Sequence, residues 1–163
     1  MLSLSLFFYL TTILTPNTDF DDAAKINNLH EAPLLFVLLR RYNDRKIYTN
    51  CSDVLISVNP YRHIDGLYGE EVMEMVATSK NPSPHVYCIA HNAYTTMVKQ
   101  NAGGEGSLRS TKRNQSVIIS GESGAGKTEA SKHVMRYLIR ASRVQAEKEG
   151  LSNVEDTAGI EKR

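Results

Sequence analysis

Residues 116–140 read SVIISGESGAGKTEASKHVMRYLIR. A short apolar run passes into a glycine-rich turn and then into a helix-like segment. Within it, Gly121, Glu122, Ser123, Gly124, Ala125, Gly126, Lys127 and Thr128 fit the pattern G-x-x-x-x-G-K-[ST]. The glycines let the backbone curl tightly, so that successive N–H groups point at phosphate oxygens. A helix beginning near Lys127 adds the positive end of its dipole. In such a loop the lysine reaches the β- and γ-phosphates, and the hydroxyl, here that of Thr128, is a ligand of Mg²⁺. Val117, Ile118 and Ile119 predict a parallel-sheet strand before the loop. Ala130, Val134, Leu138 and Ala141 predict the apolar face of the helix after it. By itself this loop says only that a nucleoside triphosphate binds.

The rest of the chain sets the limits. Its 163 residues are 41% apolar and 23% charged, which is the composition of one ordinary globular domain. A formal net charge of +1 predicts neither nucleic-acid nor anionic-membrane binding. Cys51 and Cys88 form no close metal or redox pair and read as free thiols in a reducing compartment. The opening MLSLSLFFYLTTILTP is apolar, but no Lys or Arg precedes Lys25 and no small-x-small cleavage site follows. It is also too short and too interrupted by Ser and Thr for a membrane span. We set residues 1–18 apart as an apolar leader.

Further along, DFDDAAKINNLHEAP predicts a loop or short turns. LLFVLLRRYNDRKIYT starts as an apolar helix and turns basic near its end, which suits a helix C-terminus. Residues 54–58, VLISV, stop at Asn59-Pro60 and predict a strand buried on both faces. GEEVMEMVATSK predicts a short helix with acids in its first turn. In the next segment Val86, Ile89, Ala90, Ala93, Tyr94 and Met97 follow helical spacing and read as core. His85 and His91 have no partners at metal-ligand spacing. Residues 101–113 are rich in Gly, Ser and charge and predict a flexible surface insertion; residues from about 146 to 158 predict a mobile loop.

These segments together resemble the myosin motor domain. GESGAGKTEASKHVMRYL is similar to its P-loop and the helix that follows, and NQSVIIS (residues 114–120) to the strand before it. PSPHVYCIAHNAY (residues 82–94), IYTNCSDVLISVNPYR (residues 47–62) and LHEAPLLFVLLRRY also resemble family segments, in family order from about Asp19 to Arg163. The resemblance implies an α/β P-loop NTPase: residues 19–163 would be the N-terminal part of a motor head, with an incomplete central sheet flanked by helices. It implies ATP and Mg²⁺ as ligands, with Asn59, Pro60, Tyr61 and Tyr68 forming an adenine pocket. An asparagine amide and aromatic faces suit a purine's edge and face. Actin would be the partner, and the cytoskeleton in the cytoplasm the location; neither nucleic acid nor a membrane is expected for this segment.

The departures are also informative. The spacing in NPYRHIDGLYG is one residue longer than the family's, which bears on Tyr68; Ser83 replaces a proline; and residues 101–113 lengthen a connection. No segment resembles switch I (NxNSSRFGK-like), switch II (DIxGFE-like) or the actin-binding regions, so the expectation is nucleotide binding without a complete catalytic set in this chain. Two alternatives remain at this stage. One is an inactive nucleotide-binding remnant. The other is a small GTPase-like protein, suggested by Asp156-Thr157-Ala158-Gly159, which fits D-x-x-G but lacks an apolar strand before it.

Overall fold

The computed structural model describes residues 20–101, 114–148 and 150. The apolar leader, residues 102–113 of the expected insertion and the D-x-x-G sequence at 156–159 lie outside the described residues. The described chain is α/β and divides into two compact units.

The first unit runs to Asp65 and includes Ser83–His85. It begins with a single 3-10 turn, Ala23–Lys25, capped by Asp22, whose carboxylate accepts the Ala24 N–H at 3.0 Å. The same carboxylate accepts the Ser52 N–H at 3.0 Å. These two backbone donors hold the Asp22 carboxyl below its usual range. Helix α1, Glu31–Asn43, follows. Pro33 is tolerated because it sits in the first turn, where its missing N–H breaks no helical bond. Arg40 and Arg41 fall in the last turn, where cations complement the helix dipole. The helix ends as Arg45 turns to a φ of 60° and Lys46 donates its N–H to the Arg41 carbonyl at 2.8 Å.

Strands β1, Tyr48–Cys51, and β2, Val54–Ser57, form an antiparallel hairpin with Tyr48 opposite Ser57 and Cys51 opposite Val54. Ala23, Ile26 and Val37 make the centre of this unit's core, with Phe20, Leu34, Phe36 and Cys51 packed on it. Arg41 is buried to 3% exposure. Its guanidinium meets the Asp21 carboxylate at 2.9 Å and donates to the carbonyls of Tyr48 at 2.9 Å and Phe20 at 3.2 Å. Three acceptors around one buried cation offset much of its desolvation.

The second unit holds Gly66–Pro82 and the chain from Val86 onward. Its helices are α2, Glu70–Thr78; α3, Val86–Asn101; and α4, Lys127–Lys148. Glu70 and Glu71 open α2, as the sequence predicts. The buried side chains are Met73 and Val76 of α2, Val86, Tyr87 and Ala90 of α3, and Val134 and Tyr137 of α4. Tyr87 and Tyr137 lie with ring centroids 5.4 Å apart. Across the surface, Glu70 accepts a 2.6 Å hydrogen bond from the Arg140 side chain, tying the start of α2 to α4.

Two strand expectations need correction. Residues 54–58 are not a doubly buried parallel strand: among the described residues β2 pairs with β1 alone, antiparallel, and Val54 is 63% exposed. Residues 117–119 are extended but belong to no strand among the described residues, and Ile118 is 89% exposed. A short apolar run signals a wish for burial but specifies neither the pairing partner nor the direction. The fourth helix also runs two residues beyond the start of the loop expected from about 146, because Ala146, Glu147 and Lys148 are good helix formers.

Candidate functional site

The expected site residues divide between the units. Asn59, Pro60 and Tyr61 lie in the first, and Tyr68 and residues 121–128 in the second.

In the glycine loop, Gly121, Glu122, Ser123, Gly124 and Ala125 are exposed, and Gly126 and Lys127 half-buried. The Ala125 N–H closes a tight turn on the Glu122 carbonyl at 3.2 Å. Gly126 has a φ of 96°, a conformation a side chain would strain, and its carbonyl accepts the Ala130 N–H at 2.9 Å, starting the α4 ladder. A Cβ built on Gly121 would stand 3.1 Å from the Ala125 Cβ, so a side chain there would require Ala125 to give by a few tenths of an ångström. The Lys127 ammonium curls back over the loop, donating to the carbonyls of Gly121 and Glu122, each at 2.7 Å. Thr128 is exposed in the first turn of α4. A curled backbone, a lysine directed over it, a hydroxyl beside it and a helix N-terminus behind it suit a polyphosphate anion with its divalent cation.

At the end of β2, the Asn59 side-chain oxygen accepts the Tyr61 N–H at 3.0 Å. This Asx turn places Tyr61 at a φ of 50°, which is uncommon for an aromatic residue, and leaves it 81% exposed. The Pro60 carbonyl accepts the Tyr42 hydroxyl of α1 at 3.3 Å, fixing the turn to the helix.

Tyr68 stands just before α2. Its ring stacks on His133 of α4 with centroids 3.6 Å apart and planes 9° from parallel. Its carbonyl accepts the buried Tyr87 hydroxyl at 3.1 Å. Tyr87 also stands edge-on to His133, with centroids 6.3 Å apart. Burial lowers the His133 pKa below its usual value, helped by the positive charges of Arg136 and Lys132 and opposed by Glu129. Burial raises the phenol of Tyr87, and likewise that of Tyr137, whose hydroxyl lies 2.8 Å from the His91 Nδ1.

His133 and Tyr137 escape a reading based on aliphatic periodicity. The available signal is their i, i+4 spacing, which puts both rings on one face of α4. Among the described residues, no cluster of His, Cys, Asp and Glu could hold a metal ion on its own, and no helix is long and apolar enough to cross a membrane.

A glycine-rich turn that runs into a helix N-terminus presents backbone N–H groups and the positive end of the helix dipole to an anion. A family profile described as the myosin head (motor domain) matches residues 20–158. The chain belongs to that family. It is 44% identical over 127 residues to the Myosin-M heavy chain of Dictyostelium discoideum, covering 76% of this chain and 7% of that protein. It is 41% identical over 128 residues to the Myosin IC heavy chain of the same organism, covering 77% of this chain and 10% of that one. To Myosin-1 of Arabidopsis thaliana it is 40% identical over 131 residues, covering 78% and 10%. The chain therefore spans 7–10% of the length of these relatives.

Proposed function

We propose that this chain is the ATP-binding part of an actin-based motor. Gly121, Glu122, Ser123, Gly124, Ala125 and Gly126 wrap the triphosphate with backbone N–H groups. Lys127 neutralises its β- and γ-oxygens, and Thr128 gives a hydroxyl ligand to Mg²⁺. The ion would supply the remaining positive charge on the phosphates. Asn59, Pro60, Tyr61 and Tyr68 receive the adenine. Movement on actin filaments in the cytoplasm would be the activity of a whole motor, to which these residues contribute the nucleotide-binding part. The observation that carries the reading is the Lys127 ammonium held over the loop on two backbone carbonyls, where a phosphate oxygen can replace them as its partner.

Binding of a fluorescent ATP analogue to the full chain, with and without Mg²⁺, tests this reading, followed by competition with ATP and GTP. Mg²⁺-dependent binding displaced preferentially by ATP is expected. A preference for GTP would overturn the adenine pocket and favour the GTPase-like alternative.

A further inference from the structure

The stack between Tyr68 and His133 links two tasks that the reading above treats separately. Helix α4 opens with Lys127 and Thr128, at the phosphate loop. His133 lies five residues past Thr128, about 7.5 Å along the helix axis at 1.5 Å per residue. There its imidazole lies flat against Tyr68, with centroids 3.6 Å apart and planes within 9°. Tyr68 is also held from behind, since Tyr87 of α3 donates its hydroxyl to the Tyr68 carbonyl. The backbone of Tyr68 is thus pinned by α3, the Tyr87 ring stands edge-on to the Tyr68 ring with centroids 6.2 Å apart, and the face of the ring is set by its stack on α4.

We propose that His133 is a positioning residue: by stacking on Tyr68 it fixes the plane of the ring that meets the base, so that one helix registers both the triphosphate and the adenine. The inference rests on the adenine role proposed for Tyr68. It also specifies the chemistry required at position 133. A flat ring that stacks on tyrosine is needed, whereas a flexible cation or a small side chain releases the ring. Offset and stacked aromatic contacts contribute enough to shift affinity about two- to twelvefold.

The test uses the full chain and the variants His133→Ala, His133→Phe and Tyr68→Ala. Two ligands are compared: MgATP, which engages both cradle and base pocket, and inorganic tripolyphosphate with Mg²⁺, which engages the cradle alone. In parallel, NMR of tyrosine-labelled protein follows the Tyr68 ring protons, which a face-to-face neighbour shifts upfield. In His133→Ala the upfield shift should be lost and ATP should bind about two- to twelvefold more weakly, with tripolyphosphate unchanged. His133→Phe should keep the shift and restore ATP affinity.

Tyr68 resonances unmoved in His133→Ala would overturn the positioning role. Equal weakening of ATP and tripolyphosphate would overturn it too, because His133 would then act through the cradle. If Tyr68→Ala weakens ATP selectively but His133→Ala does not, the inference fails and the adenine reading stands. If Tyr68→Ala leaves the ATP-to-tripolyphosphate ratio unchanged, the adenine role of Tyr68 fails first and the inference with it.

Discussion

The Lys127 ammonium lies 2.7 Å from the carbonyl oxygen of Gly121, six residues earlier at the other end of the loop. The contact closes the loop on itself, and in the proposed site a phosphate would exchange for it. Lys127→Ala removes a charge-assisted hydrogen bond to the phosphates, worth about 1.5–3 kcal/mol. MgATP titrations should show affinity reduced by roughly ten- to 150-fold. Equal affinity in the two proteins would remove Lys127 from the site.

The Tyr137 hydroxyl and the His91 Nδ1, 2.8 Å apart, join α4 to α3 inside the second unit. Tyr137→Phe keeps the buried ring and loses only this bond, so it should cost about 0.5–1.5 kcal/mol in chemical denaturation. Tyr137→Ala also empties a packed aromatic site and should cost about 3–5 kcal/mol. Similar losses in both variants would mean that the hydroxyl, rather than the ring, holds the helices together.

Acid should weaken the fold through His133. Its folded-state pKa lies below the ordinary 6.5 because burial disfavours the charged imidazole, with Arg136 and Lys132 adding to the effect and Glu129 opposing it. As pH falls through about 6.5, the unfolded chain takes up the proton first, so stability drops from there down to the folded pKa and then levels off. The rings of Tyr68 and Tyr87 face the same imidazole. His133→Phe has no such proton to bind. Melting curves of both proteins from pH 8 to pH 5 should show the wild type losing more stability than the variant below about pH 6.5. Parallel losses would exclude His133 as the source.

Hydrogen exchange should separate the loop from its approach. Residues 117–120 are extended without a described strand partner, whereas the α3 and α4 amides are bonded within their helices. Amides at Val117, Ile118 and Ile119 should exchange far faster than those near Ala90 and Val134. Strong protection at Ile118 would reveal a pairing strand.

The helices were legible in the sequence because their signals are local. The acids of α2, the basic end of α1 and the apolar periodicity of α4 each lie within a few turns, and all three helices form where these signals fall. The sheet was not legible, because pairing is a relation between distant residues. Residues 54–58 and 117–119 advertise burial, yet the first forms a hairpin strand exposed at both ends and the second stands open among the described residues. At the candidate site, the glycines of the motif mark the turn that the structure places just before α4. The stack on Tyr68 was hidden because His133 looks like any helical histidine until the chain brings position 68 beside it. Similarly, nothing near Arg41 in sequence announces that its guanidinium will be enclosed by Phe20, Asp21 and Tyr48.

That enclosure determines where the chain can be shortened. A chain that keeps Phe20 keeps the three acceptors of the Arg41 guanidinium described above. A cut after Asp21 removes the carboxylate and the Phe20 carbonyl together, leaving a side chain of 3% exposure with the Tyr48 carbonyl from this set. A buried cation stripped of its counter-charge draws water into the packing around it. Phe20 and Asp21 thus cannot be cut from the first unit, because of the charge of a residue 21 positions beyond Phe20.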